Sequence, residues 1–533
     1  MPFSKRLILR KKTAILSAML IFVFLIATDR ISISQDETAE KDEIFDESVI
    51  TRDPFSLLKT GKEDVLPLNL EECVFMGLAQ NFSLQSSTLE LKLADADKEL
   101  AESQFDFIFS ASTTYRRIKQ STVENVFTGS EEDRWVTNIG LSKAFDTGTT
   151  LTFGMNYANT ETDSTYQKTS DSTGVSIKIR QNLLKNFGLE QNRYSIEIAD
   201  ISKQIKEAMF DQAKLDLIYN IVAGFWSEVY AIEDYNVTYS AMLLAKDEVD
   251  IIKRKKSAGL ATGTNVFAAQ TQLESKIKDL IEKAKTVRDA SDTLLALISP
   301  DRVVELMQGG LYVLLKPREY SLDIIENLKD FIDAKSQIRK ALSIRPELKQ
   351  SNLSLKTAEE NVKYQEGQLM PNLDLIFGFN FSGAGNDFSK AMEYLWQTSN
   401  TEFEVGLEFS YPLGNRSERA KYKKAQINHE KAVFSKRSAE VSVITDVLKA
   451  IRKIQAANMT HKASKIAKEL AEKQLKTEKE LRKLGEATDF QVQEYQNELE
   501  QANRDEISAK INLKLSIAEL KKATGVLPED YLE

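Results

Sequence analysis

Hydrophobic residues along this chain recur at two periods, and the chain passes from the helical to the strand period twice. Around Ile218, Ile221, Phe225, Val229 and Ile232, and again around Ile444, Val447, Ile451 and Ile454, apolar residues step by threes and fours. That spacing keeps them on one side of a helix, as a stripe for packing against another helix. The first run extends from about Glu190 to Lys256 with Gly224 as its one breaker, the second from Arg416 to about Lys483. At 1.5 Å per residue the first predicts on the order of 100 Å of helix. No compact domain has room for that, so an elongated bundle or barrel is expected. A shorter helix is predicted from "LNLEEC" to about Ser103, with Asn69 as cap and Glu72 reaching back to the cap amide.

Between the helices the period is two. Phe107, Phe109, Ala111, Thr113 and Tyr115 share one face of a first stretch. Trp135, Thr137, Ile139 and Leu141 share one in a second; Leu151, Phe153, Met155 and Tyr157 in a third; Val175, Ile177 and Ile179 in a fourth. Later, Leu373, Leu375, Phe377, Phe379 and Phe381 alternate with polar residues. So do Phe403, Val405, Leu407, Phe409 and Tyr411, opposite Glu402, Glu404, Glu408 and Ser410. Each stretch reads as a strand with an oily and a wet face. In a soluble sandwich the oily face meets another sheet; in an outer-membrane barrel it meets lipid. Alternation alone does not choose.

The chain is internally duplicated. "GLATGTNVFAAQTQLES" from Gly259 aligns with "GEATDFQVQEYQNELEQ" from Gly485, so that Gly259/Gly485, Thr262/Thr488, Val266/Val492, Gln270/Gln496, Leu273/Leu499 and Glu274/Glu500 coincide. The same offset pairs Gly188 with Gly414, where strands give way to long helices. An earlier register pairs "NFSL" from Asn81 with "RPEL" from Arg345, Ala94 with Ala358, and Gln104 with Gln368. Each half therefore reads helix, strands, very long helix, glycine turn, returning helix. The expected division is a leader at 1–34, a flexible acidic extension at 35–66, a first repeat at 67–300, a linker at 301–335 with a turn at "QGGLY" (Gln308 to Tyr312), and a second repeat at 336–533.

Composition narrows the function. The net charge of −9 offers no basic face for phosphates and argues against nucleic acid. One cysteine, Cys73, excludes an intrachain disulfide framework, and two histidines, His429 and His461, leave little for a metal site and read as solvated surface. Lys5, Arg6, Arg10, Lys11 and Lys12 precede the apolar run Ala14 to Ala27, with Ser32 and Ser34 beyond it. That is the pattern of a secretory signal, with a retained anchor as the competing reading. An exported chain with no later spanning helix must cross any further membrane with strands.

These residues resemble the TolC family of outer-membrane efflux and secretion channels over nearly the whole chain beyond the leader. "LNLEECVFMGLAQNFSLQ" is similar to that family's helix start, with Cys73 where a small residue is usual and Phe82 where proline is common. The second copy keeps the proline at Pro346. "FDFIFSAS" and "LMPNLDLIF" resemble its strand entries, and "RQNLLKNFGLEQNR" and "YPLGNRSERAKY" its exits into helix. The resemblance implies a mainly α chain that also builds a membrane β-barrel. It implies a homotrimer in outer-membrane lipid whose helices form a hollow barrel through the periplasm. The hairpin tips would engage a periplasmic adaptor tied to an inner-membrane pump. Mapped onto this chain, the adaptor-contact region is Gly259, Leu260 and Thr262, with Leu484, Gly485 and Thr488. Asn265 and Gln491 stand where the family often has an acidic residue, so no carboxylate ring is carried over at those positions. The family usually supplies four strands per chain and six are counted here. The additional pair, Arg134 to Ala158 around "FDTGTT", either enlarges the barrel or projects from it.

The leading reading is a passive exit duct without catalytic residues, cofactor or metal. A periplasmic coiled-coil scaffold or adaptor with a soluble β domain is the alternative. The Gly-x-Gly of "FSGAGNDF" (Phe381 to Phe388) follows a strand and opens no clear helix, so a loop is expected rather than a phosphate cradle. Asp374, Glu402, Glu404 and Glu408 either line the lumen and favour cations or are simply wet strand faces. The tip glycines either dock a partner or only supply the left-handed backbone that ends a helix, with Thr capping the next. The basic run Lys253 to Lys256 either meets an acidic adaptor or complements the helix C-terminus.

Overall fold

The computed structural model describes residues 50–58, 63–119, 131–163, 169–305, 311–323, 329–397 and 400–532. The leader, most of the acidic extension and the "QGG" of the expected turn lie outside them. The described elements belong to one unit, residues 52–533.

The first described strand is β1 (Glu63–Leu68). Helix α1 (Leu70–Gln80) follows, started by the capping box expected at Asn69: its side chain accepts from the Glu72 amide at 2.8 Å, and the Asn69 amide donates to Glu72 Oε2 at 2.9 Å. The single helix expected to Ser103 is divided. Asn81 ends α1 and caps α2 (Phe82–Glu102), accepting from the Ser83 and Leu84 amides. A carboxamide that can satisfy the free amides of a new first turn makes such a break inexpensive.

Strands β2 (Phe107–Lys119), β3 (Glu131–Ala144), β4 (Thr149–Thr162) and β5 (Thr169–Asn182) come next. The long helix α3 (Tyr194–Ser257) then leads through the Gly259 turn to α4 (Gly263–Ile298). Strand β6 (Tyr312–Pro317) lies in the expected linker and pairs in parallel with β1, Val65 opposite Leu314. The second half repeats the plan with α5 (Ala334–Ile344), α6 (Pro346–Gly367), β7 (Asn372–Gly385), a short α7 (Phe388–Leu395), β8 (Thr401–Ser410), α8 (Arg416–Leu484) and α9 (Asp489–Thr524).

Two corrections follow for the early chain. Residues 50–58 and β1 are not a flexible extension. Phe55 and Leu57 are buried, and their carbonyls accept from the Arg288 guanidinium at 3.0 and 2.8 Å. Arg288 also pairs with Glu63 at 2.8 Å, both side chains almost fully buried. The segment 301–335 likewise does more than link, because β6 ties it to β1. Neither strand alternates, since Val313, Leu314 and Leu315 are all buried.

The core lies where the helices converge. Cys73, Val74, Leu215, Ile218, Ile221, Phe225 and Val229 pack with Leu294, Leu295 and Ile298, and a second cluster joins Val443, Val447, Ile451 and Ile454 to Leu513 and Leu520. The first stripe read from the sequence is inside, and so is the second except that Val443 takes the place expected for Ile444, which is half-buried. Towards the strands the helices pack side by side in the order α2, α3, α6, α8. His461 departs from expectation: it is half-buried, Nδ1 has no hydrogen-bond partner, and desolvation lowers its pKa.

Candidate functional site

Six strands form one antiparallel sheet in the order β2-β3-β4-β5-β7-β8. The additional hairpin is thus not a projection; β3 and β4 are inserted between β2 and β5. A tight turn joins them on the helical side, where the Gly148 amide donates to Phe145 O and the Asn182 amide to Gly148 O, at 3.0 and 3.1 Å. Gly148 sits at φ +85, and a Cβ there would collide with the Asn186 carbonyl.

The register brings all six oily faces to one side. One row crosses every strand: Phe109, Leu141, Phe153, Ile177, Phe379 and Phe403 are successive partners. The neighbouring row joins Ala111, Ile139, Met155, Val175 and Phe381. Because side chains alternate, a slip of one residue in any pair would have sent a strand's aromatics to the opposite face. Among the described residues nothing covers the centre of this face: Phe109, Phe153, Phe379 and Phe403 are exposed. At its outer edge Tyr115 lies beside Trp135, ring centroids 4.9 Å apart, with Tyr157 nearby. At the helical edge the Lys143 ammonium lies 4.3 Å over the Phe107 ring.

The other face is polar and rich in small residues. Ser110, Gly140, Gly154, Ser176, Asn380 and Glu402 form one row. Asp374, Glu402, Glu404 and Glu408 all lie on this face, as the alternation required. They do not form a bare acidic set, because Arg180 reaches Asp374 at 2.8 Å and Glu408 at 3.0 Å. Glu402 accepts from Asn380 Nδ2 at 3.3 Å. The composition of β8 gave no hint of a neutralising arginine near the end of β5, a strand from the other half.

Both lateral edges of the molecule are unsatisfied. Strands β2 and β8 end the sheet, and α2 and α8, which continue directly from them, end the helical layer. Leu89, Leu93 and Leu100 of α2 are exposed. So are Ile427, Phe434 and Val441 of α8, each seven residues from the last. Two apolar helix stripes and two open strand edges therefore run along the same two sides.

The far ends of the hairpins are the other candidate site. Gly259 and Gly485 have φ +75 and +81, with open space beside each Cα. The Leu260 amide bonds back to Lys255 O and the Glu486 amide to Leu481 O, the six-to-one closure that favours glycine. Thr262 and Thr488 cap the returning helices, and Asn265 and Gln491 complete the two capping boxes. Those two positions thus have a structural use for a side-chain oxygen, which an uncharged amide supplies. Leu260 and Leu484 point outward and are exposed, as are Phe267 and Phe490, which were not singled out from the sequence. They break the repeat, Phe267 matching Gln493 and Phe490 matching Thr264, so the alignment hid them.

Charge ties one hairpin to the other. Lys255 of the basic run pairs with Asp489 at 2.7 Å, and Arg482 pairs with Glu248 at 2.8 Å. Further along, Asp234 meets Lys283 at 2.7 Å and Arg504 at 3.2 Å, while Glu500 meets Lys276 and Arg504, both at 2.6 Å. A cleft of about 440 Å³ lies between these two sets, lined by Ala241, Leu244, Gln272, Phe490 and Asn497 among others. Above them Glu228 is completely buried, and neither carboxylate oxygen has a hydrogen-bond partner. Desolvation, with the charge of Asp292, pushes its pKa up to about 9. Burial likewise pushes the Cys73 thiol up to about 12.

Among the described residues no helix is long and apolar enough to cross a membrane, which says nothing about strands. Residues 337–526 match the family model described as outer membrane efflux protein. The chain is 23% identical over 373 residues to Outer membrane protein TolC of Escherichia coli (strain K12), covering 68% of this chain and 71% of that protein. It is 22% identical over 390 residues to Outer membrane efflux protein BepC of Brucella suis, covering 72% and 78%. Among solved structures, the Campylobacter jejuni CmeC outer membrane channel aligns with a TM-score of 0.64 at 16% identity, over 86% of each chain. The open state of the Neisseria gonorrhoeae MtrE outer membrane channel aligns with 0.60 at 16% identity, over 86% of this chain and 89% of that one. At such identities the structural likeness carries the fold.

Proposed function

We propose that this chain, which resembles outer-membrane efflux proteins in its second half and in its fold, is a TolC-family channel and the passive exit duct of a tripartite efflux or type I secretion system. The observation that carries this reading is the register: six strands turn their aromatic rows to one face, whose middle is bare, and the Arg180, Asp374, Glu402, Glu404 and Glu408 side chains to the other. From the Leu373 row to the Gly383 row is roughly 33 Å of strand, which at a tilt near 40° stands about 25 Å high, the height of an outer-membrane apolar band. The polar face then lines the lumen.

Closure requires further copies of the chain. An open strand edge in lipid leaves backbone groups that cost several kcal/mol each. Because each chain contributes an even number of strands, β8 of one copy meets β2 of the next antiparallel, and α8 meets α2 with their apolar stripes facing. Three such copies, six strands each, would make an eighteen-stranded barrel. The inserted β3–β4 hairpin widens the lumen relative to a four-strand contribution. Arg180 on the Asp374 and Glu408 carboxylates argues against a simple cation filter at that level.

The exposed tips, with Leu260 and Leu484 on glycine turns, are the surface for a periplasmic adaptor coupled to an inner-membrane pump, which supplies the energy. The alternative, a soluble scaffold, would have to leave the whole aromatic face bare in water. The decisive experiment pairs fractionation with a tip variant. The protein is expected in the outer membrane as a heat-modifiable trimer; a soluble periplasmic monomer would overturn the duct. Leu260→Asp with Leu484→Asp is expected to keep the trimer and abolish export, and unchanged export would remove the tips from docking.

A further inference from the structure

The segment between β7 and β8 holds an element that the duct reading does not use. The Gly-x-Gly of "FSGAGNDF" is neither a loop nor a phosphate cradle. Gly383 and Gly385 are the last residues of β7, and a helix does follow: Asp387 caps α7, accepting from the Lys390 amide at 2.9 Å. The two glycines seat that helix. A methyl on Gly383 would run into the Ala391 carbonyl and the Leu395 amide, and one on Gly385 into Lys390 and the Ala391 amide. Gly383 and Gly385 belong, by alternation, to the same face as Phe377, Phe379 and Phe381. Helix α7 therefore lies on the aromatic face of the sheet, opposite the face that carries Arg180 and the carboxylates.

Its level is equally definite. Gly383 pairs with Thr173, whose other partner is Tyr157. That row stands at the end remote from the long helices, one alternation short of the Tyr115–Trp135 pair. Phe388 packs edge-on against Tyr157, centroids 5.3 Å apart. Ala391 and Leu395 are buried against the sheet, whereas Phe388, Tyr394 and Trp396 are exposed, Trp396 by 77%. Ser389, Lys390 and Glu393 are exposed on the same short helix.

We propose that α7 is an interfacial membrane helix, lying on the outer rim of the lipid-facing surface with Phe388, Tyr394 and Trp396 at headgroup depth. The proposal rests on the sheet's aromatic face meeting lipid. A helix satisfies its own backbone, so it can lie outside a barrel in this zone where a loop cannot. Aromatic rings with a polar edge favour the boundary between acyl chains and headgroups, and Lys390 and Glu393 exclude the hydrocarbon centre. Continuity with the Tyr115, Trp135 and Tyr157 girdle fixes lipid, rather than another protein, as the occupant.

The chain has three tryptophans, so each question can be read separately. Trp135→Phe with Trp226→Phe leaves Trp396 alone; Trp226→Phe with Trp396→Phe leaves Trp135. Each full-length protein is reconstituted in phosphatidylcholine vesicles brominated either near the headgroup or near the acyl-chain ends. Trp396 emission is expected to be lost strongly to the shallow bromines and weakly to the deep ones. Quenching of Trp135 without any of Trp396 overturns the interfacial helix and leaves the lipid-facing sheet intact. Absence of quenching for both overturns the lipid face and the proposal together, and deeper quenching of Trp396 than shallow overturns the assigned level. Gly383→Leu in the Trp396-only protein should reduce the shallow quenching, while the same change in the Trp135-only protein leaves its signal unchanged. An unaltered Trp396 profile would show that the glycine seat does not hold the helix.

Discussion

The two halves of this chain are alike at the tips and unlike at the sheet. At the tips the backbone repeats residue for residue: glycines at φ +75 and +81, threonine caps at Thr262 and Thr488, and amide-bearing partners three residues on. At the sheet the first half contributes four strands and the second two strands with α7 on top. A turn that must reverse a long helix has few backbone solutions, so both copies keep the same one. A sheet edge accepts another hairpin wherever alternation is respected, so one copy gained width there and the other gained a helix.

That contrast breaks most readily on the sheet. Phe153→Arg places a charge at mid-height on the aromatic face of the inserted hairpin, at a cost of about 2–4 kcal/mol if that face meets lipid. Folded trimer in the outer membrane, read as heat-modifiable mobility, should fall sharply. Ser176→Arg, beside Phe153's strand but on the other face, should leave it nearly unchanged. Equal behaviour of the two variants would remove the distinction between lipid and lumen faces.

The strap that only the first half carries gives the next largest effect. Arg288→Met removes the guanidinium that pairs with Glu63 and donates to the Phe55 and Leu57 carbonyls, a loss on the order of 3 kcal/mol. Protease cleavage within residues 50–68 should become fast. Resistance equal to the parent's would show that apolar packing alone holds the strap.

Glu228 has no charged counterpart to pair with it in its own half, and it yields a pH signature. Its folded pKa lies near 9, far above the 4.5 of an ordinary glutamate. The folded state therefore holds a proton that the unfolded state releases between those values. Its contribution is full below pH 4.5 and is lost as pH rises towards 9, on the order of 3 kcal/mol by pH 7. Glu228→Gln should raise the melting temperature at pH 7–8 and flatten the slope between pH 5 and 9; an unchanged slope would exclude a neutral buried Glu228.

The tips should respond least and alike. Gly259→Ala and Gly485→Ala each force a Cβ into a left-handed conformation at about 1–2 kcal/mol. Thermal unfolding should register the two equally, with trimer retained. A cost at one tip twice that at the other would break the equivalence.

Much of this was legible in advance because it rests on local rules. The capping box at Asn69, the ends of the long helices near Ser257 and Leu484, and all six alternating strands follow from periods and caps. The strands β1 and β6 were missed because neither alternates, β6 burying Val313, Leu314 and Leu315 in succession and β1 only Leu68, and because the partners lie more than two hundred residues apart. The Gly-x-Gly motif was misread because its glycines answer to a helix that follows them, and eight residues show too little periodicity to announce one. The neutralised carboxylates were invisible because Arg180 belongs to the other half.

By itself the sequence determined the long helices, their duplication and the two faces of the six alternating strands, since period and capping act within a few residues. Only the tertiary structure decided that the inserted hairpin lies inside the sheet, that six aromatic faces fall on one side, and that α7 rests on that side. Those outcomes depend on hydrogen-bond register and backbone approach between segments far apart in the chain, which side-chain order along one strand does not encode.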